Sequence, residues 1–496
     1  MSELPILSIS ILLPLFSALY ITFCISHSKS LHKRVYAMYV AILAATLTLI
    51  ATIYLLVSFD NQNANFQFVE RYSWIKSIGL EFHVGVDGLS VYFVFLSALL
   101  TLICIIASLF TVKKNIKEFL LCFLLLESFC IGVFSSLNLL LFYGFFEVVL
   151  IPMYLIIGIW GGTNRIYAAV KFFIYTFFGS VFLLISLMYI YSQTGTFNMV
   201  ELAQIMPVFS LEVQQYLWLA TFISFAVKIP MVPFHTWLPD AHVQAPTAGS
   251  VMLAGILLKL GGYALLRISL PMLPGASEYF TNYVLYMSGF AVIYASLVAL
   301  AQTDMKKMIA YSSVAHMGYV TAGIFSFSVI GIGGAVFQMI SHGVVSAALF
   351  LIVGMLYERH HTKEIAKYGG VAASMPVLAT FFMIAMLGSI GLPGLSGFVG
   401  EFFSILGVFE VNPIVGILCA FGIILGAVYM LKLYKNIMFG EAVNKEVLQF
   451  VDLKFYEKAA LVPLVILIIY MGLAPSGILE TLNVPARNLA ALYGAL

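Results

Sequence analysis

At 496 residues, with 62% hydrophobic and 9% charged residues, the chain is far from a soluble domain, in which about 25% of residues are charged. That balance marks an integral membrane protein, and a net charge of +2 without any basic run offers no surface for nucleic acid. Five scattered cysteines with no CxxC pair argue against an iron–sulfur or zinc site, and the lack of a Walker loop or a Rossmann glycine pattern leaves nucleotide chemistry to other chains.

Met1-Ser2-Glu3 lacks the basic region of a secretory signal, so the first apolar segment is expected to stay as a span. At about 20 apolar residues per crossing, an all-α membrane protein of fourteen helices is expected. Their starts lie near Leu4, Val35, Leu89, Phe119, Leu137, Tyr167, Leu217, Ala245, Tyr279, Met308, Val329, Met375, Pro413 and Ala459. The long loop from Asp60 to Asp87 carries Tyr72 and Trp74, which suit a membrane interface, and Phe197 to Gln215 reads as a segment lying along the same surface. Basic residues gather in alternate loops: Lys29, Lys33, Arg34, Lys113, Lys114, Lys117, Arg165, Lys306, Lys307, Arg359, Lys363, Lys367, Lys435, Lys445, Lys454 and Lys458 on one side, against Arg71, Lys76, Arg267 and Arg487 on the other. By the positive-inside rule the richer side is cytoplasmic and both termini are outside.

Two stretches break their helices. In AVKIPMVPFHTWLPDAHVQAP, Ala226 to Pro246, an apolar run meets Lys228 and is interrupted by Pro230 and Pro233; an interior proline costs a helix about 3 kcal/mol. In GSIGLPGLSGFVGEF, Gly388 to Phe402, glycines and Pro393 do the same. The breaks fall in the fourth member of two successive groups of five helices. Because five is odd, the second group is inverted relative to the first, and paired interruptions in inverted repeats point to a transport site at the bilayer midplane. The expected organisation is helices one to three over 1–117, a first five-helix repeat over 118–270, an inverted repeat over 271–436, and a closing loop and helix over 437–496.

Glu127, Glu147, Lys171, Lys228, Lys259 and Glu401 remain inside the apolar spans, with His316 and His342 beside them. Each charge at a helix centre costs on the order of 2.5–3.5 kcal/mol, so these groups are expected to face one another or an internal hydrated path. Glu147 either locks two helices through an ion pair or exchanges that pair, with Lys228 as its partner. Lys259 lies too deep to reach either surface, and Glu401 is the counterpart of Lys228 in the second break. Lys171 either snorkels to the surface or joins the path, and Glu127 either supports a neighbouring helix or carries protons. His316 and His342 are either packed core histidines or shuttles, with an ordinary pKa near 6.5. No metal site is expected among them.

Three strings, AVKIPMVPFHTWLPDAHVQAPTAGSVMLAGILLKLGGYALLR (Ala226 to Arg267), LAQTDMKKMIAYSSVAHMG (Leu300 to Gly318) and GLPGLSGFVGEF (Gly391 to Phe402), closely resemble the antiporter-like membrane subunits of respiratory complex I. The resemblance covers nearly the whole chain. It implies that Glu147, Lys228, Lys259 and Glu401 form the proton relay, with His316 and His342 on the same polar axis, and that quinone reduction in other subunits drives it. It also implies no cofactor in this chain, with NAD, FMN, iron–sulfur clusters and quinone in partner subunits, and sister chains of the L and N types as neighbours. The chain differs from the first sister type by ending soon after its last helix, and from the second by an acid, not a lysine, at Glu401. The implied location is an energy-coupling membrane, the bacterial inner membrane. Competing readings are a subunit of a multi-subunit sodium/proton antiporter, a membrane-bound hydrogenase subunit, or a spacer whose charges only pair.

Overall fold

Apolar runs of about twenty residues, separated by short polar turns, satisfy their backbone groups internally as helices, as a lipid environment requires. The computed structural model describes residues 4–24, 31–109, 111–442 and 445–494; Met1–Glu3 and Lys29 of the sequence reading lie outside them. In chain order the helices are α1 Ile6–Cys24, α2 Leu31–Val57, α3 Val91–Ser108, α4 Ile116–Ser135, α5 Leu139–Val148, α6 Leu150–Trp160, α7 Arg165–Thr194, α8 Met199–Ile205, α9 Leu211–Lys228 and α10 Trp237–Gln244. Then follow α11 Thr247–Met252, α12 Leu258–Ala264, α13 Leu270–Met272, α14 Pro274–Leu300, α15 Met305–Ile324, α16 Val329–His360 and α17 Val371–Ser374. The chain closes with α18 Pro376–Ser389, α19 Ser396–Val411, α20 Pro413–Met438, α21 Phe455–Leu473 and α22 Ser476–Ala491.

Among the described residues, eleven helical stretches are long and apolar enough to cross a membrane. The other three expected starts, near Leu217, Met308 and Met375, fall at α9, at α15 and at the interrupted pair α18 and α19, which are the polar or broken ones. Two π-helical turns, Leu253–Leu257 and Leu265–Ser269, join α11, α12 and α13 into the single, almost wholly buried stretch Thr247–Met272.

The loop read as an interfacial segment is in part a β-hairpin, so the fold is not helical throughout. Strands β1 Gln67–Ile75 and β2 Leu80–Val86 pair antiparallel, and the turn closes at Gly79, whose φ of +66° suits glycine. Register irregularities between Gln67 and Glu70 and between Ser73 and Ile75 disturb the two-residue alternation by which a strand is read from sequence. Glu70 accepts from the backbone of Leu7 at 2.8 Å and from Ser8, which caps the start of α1. The His83 carbonyl accepts from Leu137 N at 2.8 Å, tying the hairpin to the start of α5.

The chain divides into two compact units, Met1–Ile229 with Ile256–Phe280 and Glu480–Leu496, and Pro230–Gly255 with Thr281–Leu479. Each has its own apolar core and its own set of buried polar groups.

Candidate functional site

In the first unit, Asn138 caps α5 by accepting from Leu140 and Leu141 backbone donors, and the helix then carries Glu147 in its last turn. The helix breaks at Val149. Pro152, three residues further on, has no N–H for the Val148 carbonyl and its ring crowds that turn. Glu147 therefore sits beside an interruption of its own, a signal present in the sequence that the reading of that span passed over. Its Oε1 is buried with no hydrogen-bond partner, and Lys228 acts on the carboxylate electrostatically.

Lys228 is the last residue of α9, buried to 3% exposure. Pro230 and Pro233 end that helix as expected, and α10 resumes only at Trp237. The ammonium donates to the Phe146 carbonyl at 3.3 Å and lies 4.4 Å from the centre of the Phe146 ring. It thus rests on the backbone turn that bears Glu147, held there by a carbonyl and an aromatic face. Lys259, in α12 between the two π turns, is fully buried. Gly261 lets its helix lie against the end of α9: a Cβ there would stand 2.8 Å from the Phe225 carbonyl oxygen and 3.0 Å from Ile229 N.

Two other residues of the candidate set lie in this unit. Glu127, in α4, is fully buried, and neither of its carboxylate oxygens has a hydrogen-bond partner. Lys171, in α7, is partly exposed, with its ammonium 5.7 Å from the Tyr167 ring. Arg267 corrects the loop assignment: it is buried within the stretch Thr247–Met272, because the π turns carry the helix past the point where the charge suggested a loop.

In the second unit, Glu401 lies in the second turn of α19, after the interruption at 390–395. Its carboxylate faces His316 Nδ1 at 2.8 Å and accepts from Gln338 Nε2 at 3.1 Å. The other imidazole nitrogen of His316 is 3.3 Å from Ser389 Oγ, and the His342 ring lies 5.3 Å from that of His316. These groups, with Ser312 and Ser341, line a small cavity with room for roughly one water molecule. The sequence reading missed Gln338. The signal was there: it is the one amide side chain in the 32 residues of α16, four positions and thus one helical turn before His342. Gly400 allows this approach of α19 to α16, since a Cβ there would stand 2.6 Å from Gln338 Cα.

An acid near a lysine, a second buried lysine, and an acid held by an imidazole and an amide can accept, hold and release protons. Among the described residues no cluster of His, Cys, Asp and Glu has the geometry to hold a metal ion.

A family profile described as NADH:quinone oxidoreductase/Mrp antiporter, transmembrane, matches residues 136–426. The chain is 66% identical over 493 residues to NADH-quinone oxidoreductase subunit M of Rickettsia bellii (strain RML369-C), covering 99% of this chain and 100% of that one. A chain of respiratory complex I from Thermus thermophilus with bound NADH superposes with a TM-score of 0.89 at 28% identity, over 98% of this chain and 99% of that one. A chain of the Mrp complex from Dietzia sp. DQ12-45-1b shares the fold, with a TM-score of 0.87 at 20% identity over the whole of both chains.

Proposed function

The chain belongs to the antiporter-like membrane subunits of NADH-quinone oxidoreductase, and from that premise we propose that Glu147, Lys228 and Lys259 in one unit and His316 and Glu401 in the other carry its protons. It is a multi-pass subunit of the M type in a proton-translocating complex. In this reading the spans number fourteen, with the two inverted five-helix repeats at 118–270 and 271–436 and both termini on the outer side. The redox groups, NAD, FMN, iron–sulfur clusters and quinone, belong to partner subunits, and the flanking chains are the L-type and N-type sisters.

One observation supports the relay above the others. Lys228 rests on the Phe146 carbonyl, one residue from Glu147, while Glu147 Oε1 has no partner. A small movement of the proline-broken turns makes or unmakes that ion pair. When it is unmade, a buried ammonium loses its counter-charge, a costly arrangement that handing the proton to Lys259 relieves. In the second unit, Glu401 and His316 take and release the proton, with Gln338 orienting the carboxylate. His342, Glu127 and Lys171 are secondary carriers in this scheme. Moving one charge against 100 mV requires about 2.3 kcal/mol, within reach of forming and breaking one buried pair, which is worth about 3–5 kcal/mol when one partner is removed.

The test is Glu147→Gln and, separately, Lys228→Ala in the intact complex. Assembly is expected to persist while proton pumping coupled to NADH oxidation falls by most of its value. Near-normal pumping in either variant overturns the proposal.

A further inference from the structure

Eight residues beyond Lys259, or about 12 Å along a helix at 1.5 Å per residue, stands a cluster that the relay does not use. Arg267 Nη2 pairs with Asp87 Oδ1 at 2.5 Å, the two side chains being 10% and 14% exposed. Its Nε donates to Tyr263 Oη at 3.1 Å, and its guanidinium lies 4.8 Å from the centre of the Phe66 ring. Asp87 is itself pinned by the Leu89 backbone donor at 3.1 Å. Tyr263, between Lys259 and Arg267 on the same stretch, donates its own proton to the Phe134 carbonyl at 3.0 Å, with the Phe93 and Phe134 rings packed around it.

We propose that Arg267, fixed by Asp87 and Tyr263, is a donor-only plug that insulates Lys259 from water at the Met272 end of its span. The inference rests on the reading that Lys259 holds a proton. A lysine, a tyrosine and an arginine one turn apart look like a proton wire, and the hydrogen bonds show why this is not one. The Tyr263 hydroxyl has its proton committed to a backbone carbonyl, which cannot pass it on. Next along is a guanidinium, which is not deprotonated in a protein and offers no acceptor. Closed against Asp87 and Tyr263, it has its donors already in use and offers an arriving proton no acceptor of its own.

Two further features fit a built barrier. Arg267 lies in a π-helical turn, Leu265–Ser269, an irregularity common at functional positions. The carbonyls around that turn are closed off as well: Ser269 O accepts from Ser277 Oγ at 3.0 Å and Leu270 O from Tyr493 Oη at 2.8 Å. The end of the stretch is thereby sealed by side chains from three separate parts of the first unit.

The experiment uses the intact complex in sealed vesicles without NADH, where the decay of an imposed pH step reports passive leak. Removing Arg267 alone strands the Asp87 charge, so the informative variant is the double change D87N/R267Q, which leaves a neutral pair. It is expected to speed the decay severalfold, because the amide pair supplies the acceptors that the closed ion pair withholds. Arg267→Lys, which keeps the charge, is expected to hold the gradient as the parent does, and Lys259→Met added to the double variant is expected to restore tightness. Parental decay in the double variant overturns the inference. So does a leaky Arg267→Lys, or a leak that persists without Lys259. NADH-driven pumping, measured separately, reports on the relay, so the two readings fail in different assays.

Discussion

Gly400→Ala is a small substitution with a calculable effect. A Cβ at position 400 falls 2.6 Å from Gln338 Cα and 2.7 Å from Gln338 N, backbone atoms that no side-chain rotation can move aside. Reaching an ordinary contact of about 3.5 Å requires α19 and α16 to separate by roughly 1 Å. Glu401 is the next residue and travels with α19, so its 3.1 Å bond from Gln338 stretches past hydrogen-bonding length and its 2.8 Å approach to His316, which α15 carries, is disturbed with it. The overpacking itself costs about 1–3 kcal/mol, which a protein of this size can absorb without unfolding. Losing hydrogen bonds to a charged group costs about 1.5–3 kcal/mol each, a factor of roughly ten to a hundred in the coupled step. The assay is the proton-to-electron ratio of the purified complex in proteoliposomes, with complex content checked by native electrophoresis. An assembled G400A complex that pumps at the parental ratio would refute the claim that Glu401 works through these contacts.

Two other substitutions test the account away from the ion pairs. Pro152→Ala restores a donor for the Val148 carbonyl and lets α5 run into α6; the complex is expected to assemble normally and to pump at a clearly reduced ratio, measured as above. His83, in the hairpin outside the spans, is held below its ordinary value first by burial and then by the Arg71 charge. A lowered histidine pKa means that the unfolded hairpin binds more protons than the folded one, so stability falls as pH drops through about 6.5. Protection of the Leu80–Val86 amides relative to their intrinsic exchange rates is expected to fall between pH 7 and 5, and His83→Gln to remove that dependence; an unchanged slope in the variant contradicts it.

Eleven of the fourteen expected starts and both helix breaks were legible because lipid demands long apolar runs and because Pro230, Pro233 and Pro393 interrupt them by a local mechanism. The hairpin was not, since bulges around Phe68 and Trp74 scramble the strand alternation. Buried charges such as Glu147 and Lys228 stood out by the cost of placing them in oil. Gln338 did not, because an amide in an apolar helix carries no charge to notice, and its role depends on α19 packing against α16. Arg267 was misplaced because a charge near the end of a span is ordinarily a loop residue; the π turns and the Asp87 carboxylate, 180 positions earlier, are tertiary facts.

In the proposed relay Lys259 is the residue that holds the proton in mid-membrane. Its most direct test is the number of protons moved per two electrons by the assembled complex carrying Lys259→Met, which keeps the volume and removes the charge. A lowered ratio with complex content unchanged is the predicted result. A parental ratio, or lost assembly with full turnover in whatever complex remains, would show instead that the buried charges of this chain only hold its helices together.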